Sequence, residues 1–204
     1  YFDRKIDNLI STALFTAVGR DPTVPFRGRN PANHNNRLFV NVAGEVQVKG
    51  YELVSSLSFD NGLSFDGSYT ESKSEQKSAT GVISDIQRIP KQYAKFGASY
   101  RPAGGDWGVN AHLLWTGEQA SSVVTNSGTV MYNYGDYTVL DVAAHIYLDD
   151  NRKHRITARL QNALDEDYWT RVASALVDGS TTNRFVYGNS GGERTLHLSY
   201  SYNF

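Results

Sequence analysis

Three histidines, His112, His145 and His197, are the first candidates for chemistry in this 204-residue chain. Each stands on the polar side of an alternating stretch. They belong to three different stretches and lack the short ligand spacing of a metal site. They read as polar lining, with neither a catalytic nor a metal centre expected. Ser199 lies two residues from His197 on the same side. A nucleophilic triad also needs an orienting carboxylate or amide in register, so an enzyme is not the expectation. Asp165-Glu166-Asp167 lacks the alternating oxygen ligands of a calcium loop. Aromatic residues beside cations are the better binding candidates: Tyr132 and Tyr134, Trp169 with Arg171, and Arg184 with Phe185 and Tyr187. Rings stack and guanidiniums form charge-assisted hydrogen bonds, which suits an anionic or aromatic small ligand. The same residue types also collect in aromatic girdles.

The stretches that hold these residues alternate with period two, the signature of strands. At the C-terminus Leu196, Leu198, Tyr200, Tyr202 and Phe204 point one way, and Thr195, His197, Ser199, Ser201 and Asn203 the other. Residues 93–100, 107–116, 138–148 and 156–161 repeat the pattern. Residues 38–59 read as one strand whose parity flips at Lys49-Gly50, where a glycine-bearing bulge is expected. Residues 3–14 read as a strand, with a helical face of Ile6, Leu9, Ile10 and Ala13 as the alternative. One side of each stretch is apolar and the other polar, as lipid and a wet lumen require of a transmembrane β-strand. Trp107 and Trp115 share a side. At about 3.3 Å per residue and roughly 40° tilt they differ in height by about 20 Å, near the separation of two aromatic girdles.

Composition agrees. Mean hydropathy is −0.45, and no run approaches the roughly 20 apolar residues of a transmembrane helix. Net charge is −1, so there is no bulk electrostatic case for nucleic acid. Cysteine is absent, which removes disulfides and thiolate metal sites. No cofactor is implied. The chain opens in mid-pattern at Tyr1-Phe2-Asp3, as a piece of something longer or a mature chain would.

Short connections (60–62, 102–106, 149–153) alternate with long ones near 16–37, 71–88, 117–135 and 173–192. About eight antiparallel strands in an up-and-down meander, long loops at one rim, give this rhythm. The expected fold is therefore all-β, a transmembrane barrel wall. Eight strands can close on themselves, so a self-contained structural barrel is one alternative.

Asn162-Ala163-Leu164-Asp165-Glu166-Asp167-Tyr168-Trp169, followed by a Gly-Glu-Arg-Thr segment and a terminal Phe204, resembles the last two strands of TonB-dependent outer-membrane receptors. That family commonly carries Asn-Leu-Phe-Asp-x-x-Tyr, then a loop, then Gly-x-x-Arg; Ala163 and Leu164 are departures from it. Phe2 to Ile10, Lys49-Gly50-Tyr51-Glu52-Leu53, and Ile89-Pro90 before Tyr93-Ala94-Lys95-Phe96-Gly97 are similar to family elements in the same order. The resemblance implies that residues 1–204 form the C-terminal part of a barrel of about 22 strands, without its plug or roughly the first fourteen strands. It implies residence in the outer membrane of a Gram-negative bacterium and import of a ferric siderophore, with haem, cobalamin and oligosaccharide as other ligand classes. The implied partners are TonB through the missing plug, the barrel assembly machinery, and lipid and lipopolysaccharide; from charge alone, Arg20, Arg27 and Arg29 are candidates for lipopolysaccharide phosphates. In that reading Trp107, Trp115, Tyr200, Tyr202 and Phe204 serve the girdles and the assembly signal.

Overall fold

Alternation this regular leaves the backbone one economical solution, and the chain takes it. The computed structural model describes residues 1–14, 37–78, 80–180 and 182–204, and every regular element among them is a strand. In chain order these are β1 (Phe2–Leu14), β2 (Arg37–Ser58), β3 (Leu63–Lys77), β4 (Ile83–Asp85), β5 (Gln92–Tyr100), β6 (Trp107–Thr116) and β7 (Gln119–Thr125). They continue with β8 (Gly128–Tyr134), β9 (Tyr137–Tyr147), β10 (His154–Gln161), β11 (Trp169–Leu176), β12 (Arg184–Ser190) and β13 (Thr195–Tyr202). The principal sheet runs β1-β2-β3-β5-β6-β9-β10-β13, and β4 pairs with β3 alone. That path has the eight strands expected. β7–β8 and β11–β12 are separate two-stranded ladders. The first strand is β, not the helical alternative.

The chain divides into two compact units. The smaller comprises Asp3–Lys49 and Ser74–Ile86. In it Lys5 pairs with Glu45 at 2.9 Å, Lys49 with Asp3 at 3.7 Å, and Gln47 Nε2 donates to Asp3 Oδ1 at 3.0 Å. The end of β3 meets β4 through Glu75↔Asp85 and Lys77↔Ile83.

The larger unit comprises Tyr1–Phe2, Gly50–Lys73 and Gln87–Phe204. Residues directly opposite across a ladder share a face, so the register sorts its side chains. One row reads Phe65↔Ala98↔Ala111↔Val142↔Leu160↔Leu196 from β3 to β13. The next reads Leu63↔Tyr100↔Val109↔Ala144↔Ala158↔Leu198. On the opposite face Ser64↔Ser99↔Asn110↔Ala143↔Arg159↔His197 form one row and Gly108↔His145↔Thr157↔Ser199 another. The apolar rows are open: Phe96 is 50% exposed and Leu198 71%. A soluble sheet would need a second layer over such a face; a lipid-facing strand does not.

The short turns lie at one end. Asn61 Oδ1 accepts the Leu63 N–H at 3.0 Å, and Gly62 has φ 88°, as its Asn-Gly pair predicts. A Cβ on Gly62 would also fall 1.7 Å from the Arg101 carbonyl oxygen. In the β9–β10 turn the His154 N–H (2.7 Å) donates to Asp149. That bond, opposed by partial desolvation and helped by the Lys153 N–H, holds the Asp149 carboxyl below its usual range. Rings gather near the ends of the apolar face. Trp107 meets Tyr100 at 5.4 Å and Tyr202 meets Phe204 at 5.0 Å, while His154 Nδ1 and the Tyr200 hydroxyl are 2.6 Å apart. At the far end of β6 the Trp115 indole donates to Asp136 at 3.4 Å.

The three long connections that fall on described residues need correction. The segments read as loops at 71–88, 117–135 and 173–192 contain the end of β3 with β4, then β7–β8, then parts of β11 and β12. These extensions lie beyond the apolar rows, so no lipid imposes alternation on them and their composition stays polar. Their turn signals were present, Asn126-Ser127-Gly128 and Asp178-Gly179, with φ 116° at Gly128 and 74° at Gly179. β2 runs unbroken through Lys49-Gly50. A Cβ on Gly50 would lie 2.2 Å from the Glu71 carbonyl oxygen and 2.7 Å from the Phe2 ring, so close approach of neighbouring strands requires glycine there. Most of the loop expected near 16–37, with Arg20, Arg27 and Arg29, lies outside the described residues.

Placing a charge on either face tests this sorting. Ala98→Arg, in the apolar row that holds Phe65 and Ala111, is expected to destabilise the protein in lipid vesicles by about 2–4 kcal/mol. Ser99→Arg, one residue on, should cost less than half of that in urea unfolding. Equal costs would contradict the assignment of faces.

Candidate functional site

Polar chemistry in this chain collects in two places. The first is the pair of hairpins beyond the apolar rows. β7 pairs with β8 from Gln119↔Tyr134 to Thr125↔Gly128, and β11 pairs with β12 from Trp169↔Ser190 to Leu176↔Arg184. Their facing sides close on a small core of Val123, Tyr134 and Val172, with Tyr132 and Val186 against it. Val172 and Ser121 are fully buried. Of the five buried hydrophobic residues among the described ones, four (Val123, Tyr134, Val172 and Ala173) lie in these hairpins.

Hydrogen bonds lock the arrangement. The Arg184 N–H donates to Asn126 Oδ1 at 2.6 Å, tying β12 to the β7–β8 turn. Arg88, at φ 64°, donates from Nε to Ser121 Oγ at 3.2 Å and from its backbone to the Ala120 carbonyl at 3.0 Å. Gln87 Oε1 accepts the Ser122 N–H at 2.7 Å. Burial pushes the Tyr134 phenol pKa up, and the charges of Arg88 and Arg171 oppose that shift.

The six residues expected to bind ligand therefore divide. Tyr134 is buried, 8% exposed, and Tyr132 is half-buried beside it. A bulge between Trp169 and Arg171 lays the Trp169 ring over Gly188, where a Cβ would lie 2.6 Å from it. Arg184 shares the side of Val172 and Val186 by register. Arg171 and Tyr187 take the other side of β11–β12, which also carries Phe185. Phe185 and Tyr187 are 49% and 40% exposed, their rings 5.8 Å apart and inclined at 42°. Across from them stand Ala175 and Ala173, small enough to leave the rings open. The structure thus offers an aromatic shelf with Arg171 at its end. Arg88, Gln87, Ser121 and Asn126 were not singled out from sequence. Only the turn signal around Asn126 pointed toward any of them.

The second place is the polar face itself. His112 stands across from Asp141, and Asp141 Oδ2 meets Arg159 Nη2 at 3.0 Å. Asn110, His112, Asp141, Ala143 and Arg159 line a shallow depression there. His197 Nε2 contacts Gln161 Oε1 at 2.8 Å. Among the described residues no group of three His, Asp or Glu could hold a metal. Beside the depression Asn162, buried at φ 47°, clamps the turn after β10. Its Nδ2 donates to the carbonyls of Glu166 and Gly192, each at 2.9 Å, its Oδ1 accepts the Glu166 N–H, and its own N–H donates to Asp141. Asparagine tolerates the left-handed conformation that this turn needs. Arg194 meets Asp165 at 3.0 Å, and the Tyr168 ring stacks on Tyr137 at 4.2 Å.

Residues 1–163 match the family model described as TonB dependent receptor-like, β-barrel. No curated protein matches the chain. Among solved structures, the ferripyoverdine receptor of the outer membrane of Pseudomonas aeruginosa is similar at TM-score 0.66 and 20% identity, covering 100% of this chain and 24% of that one. The ferric-catecholate import receptor Fiu of E. coli K12 gives 0.63 and 17%, with 99% and 24% covered. The FrpB iron transporter of Neisseria meningitidis gives 0.63 and 14%, with 99% and 28% covered. The chain spans about a quarter of the length of these structures.

The shared hairpin core predicts that the two ladders lose order together. Tyr134→Ala is expected to destabilise them by about 3 kcal/mol, with amide-exchange protection falling in β7–β8 and β11–β12 alike. Loss confined to β7–β8 would show that the hairpins are independent.

Proposed function

The chain belongs to the TonB dependent receptor-like β-barrel family, and on that premise we propose that it is the C-terminal barrel portion of an outer-membrane receptor for TonB-energised uptake of a ferric siderophore. The family is one of receptors, not enzymes. The observation that carries the reading is the two-sided register from β3 to β13, one face apolar and open, the other polar. In lipid the apolar rows meet acyl chains, and Trp107, Trp115, Tyr200, Tyr202 and Phe204 sit at the interfaces as girdle. The closing strand then doubles as the segment read by the assembly machinery. Coupling to TonB falls to the plug of the whole receptor.

The ligand class is supported by the relatives, which are a ferripyoverdine receptor, a ferric-catecholate import receptor and an iron transporter. The geometry of the outer hairpins suits it. Phe185 and Tyr187 present open ring faces for stacking, and Arg171 supplies a guanidinium for an anionic oxygen. Tyr132 and Tyr134 support this shelf from the far side through Val172, while Trp169 and Arg184 brace its two ends.

Binding of a panel of ferric siderophores, haem, cobalamin and oligosaccharides to the full-length receptor tests the reading. A ferric siderophore is expected to bind, and the double change Arg171→Ala with Tyr187→Ala to weaken it by about 10–100-fold, equivalent to about 1.4–2.8 kcal/mol. Binding of haem, cobalamin or a glycan in its place, or a self-closed eight-stranded barrel with no ligand, would overturn it.

A further inference from the structure

The apolar face carries one side chain that does not suit acyl chains. Across β5, β6, β9, β10 and β13, His154 is the single residue on that face able to take a positive charge. Register places it there: His154 stands across from Tyr202, in step with Ile156↔Tyr200 and Ala158↔Leu198. On its other side the Leu148 N–H donates to the His154 carbonyl at 2.9 Å. An ionisable group on a lipid-facing wall is expensive unless a polar partner meets it.

Register also sets its depth. Trp107, Ile146, Ile156 and Tyr200 form one cross-strand row. His154 and Tyr202 form the next row toward the short turns, two residues along a tilted strand and so about 5 Å farther from the bilayer centre. Girdle rings lie at headgroup level, and one row beyond them is the level of the lipid phosphates. The imidazole is held there by its neighbours: Nδ1 is 2.6 Å from the Tyr200 hydroxyl, and the Tyr202 ring lies 4.7 Å away, inclined at 42°. With Nδ1 accepting the Tyr200 proton, Nε2 carries the ring's own and is a donor. Among the described residues no hydrogen bond reaches Nε2. The Asp149 carboxylate is occupied by the backbone N–H groups of Lys153 and His154. Lys153 adds a positive charge one residue away in the turn.

We propose that His154, oriented by Tyr200 and Tyr202, binds the phosphodiester of a phospholipid in the leaflet at the short-turn rim. Nε2 donates to a phosphate oxygen, and the charge of the phosphate suits an imidazole and an ammonium together. The exposed side chains of Leu148, Ile146 and Ile156 flank His154 on the same face and meet the acyl chains of the same lipid. A free phosphate ion would leave them uncovered, so the lipid is the occupant. This rests on the membrane-spanning part of the function proposed above. Short turns face the periplasm in such barrels, which makes this the periplasmic leaflet.

The test uses the full-length receptor, isotope-labelled at its histidine nitrogens, in vesicles of dioleoylphosphatidylglycerol. A phosphate oxygen that accepts from Nε2 brings phosphorus to about 4 Å from that nitrogen. Lipid phosphorus should therefore dephase an imidazole nitrogen signal in solid-state NMR. Either His154→Phe or His154→Gln should remove the dephased signal, which assigns it. Absence of dephasing in the wild-type receptor, or dephasing that survives both changes, overturns the proposal. So does equal dephasing by inorganic phosphate added to vesicles of phosphorus-free galactosyl diacylglycerol, which assigns a free-anion site. A receptor that binds ferric siderophore but shows no lipid contact loses this site and keeps its function. One that shows the contact and binds no ferric siderophore keeps the site and loses the ligand assignment.

Discussion

A peptide group left unpaired in hydrocarbon costs several kcal/mol, so a chain that crosses lipid as strands must pair each strand with neighbours. From β3 to β13 this chain does so by an unbroken antiparallel ladder. Period-two side chains follow from that backbone, and once one face meets acyl chains the other is left to carry polar chemistry. Arg159, Asp141 and His197 can be retained because they share the second face. The sheet path ends at β1 and β13. In the proposed larger barrel those edges meet further strands, which the cost of an open edge demands.

The constraint lapses where the strands leave the apolar rows. There the ordinary rules of a water-soluble protein return. Val123, Tyr134 and Val172 bury one another, Ser121 is buried with a hydrogen bond to Arg88, and Asn126 caps a neighbouring strand. The hairpins acquire a rigidity that loops of Ser, Thr and Asn would lack. A preorganised shelf loses less entropy on binding than a mobile loop does. The register that buries Val172 is the same register that turns Arg171 and Tyr187 outward. In the proposed function, support and recognition are two sides of one hairpin.

What the sequence made legible follows the same boundary. Strands in the lipid belt announce themselves, since solvent on each side is different; Trp107 to Trp115 and Leu196 to Tyr202 were readable residue by residue. Turns closed by Asn61-Gly62 were readable as well. The rim hairpins were not, because both of their faces begin in water and no alternation is imposed. Tyr134 shows the consequence: an aromatic in a Ser/Thr/Asn stretch suggested ligand contact, and it packs in a core instead. The closing strand pairs with β10, as an up-and-down meander requires, although β11–β12 intervene in the chain. Asn162 was recognisable as part of a resembling element, but its hydrogen bonds to Asp141, Glu166 and Gly192, made at a φ of 47°, depend on a convergence that no local pattern encodes.

The central claim is that two faces of one sheet meet two different media. Residues 1–204 hold no cysteine; with any cysteine elsewhere in the protein replaced, single cysteines from Thr138 to Tyr147 on β9 can carry nitroxide labels in vesicles. Collision rates with oxygen, which concentrates in lipid, and with a water-soluble nickel chelate should alternate out of phase with period two. Residues 138, 140, 142, 144 and 146 should favour oxygen, and 139, 141, 143, 145 and 147 should not. Absence of alternation, or nickel access at residue 142 equal to that at 141, would contradict the account.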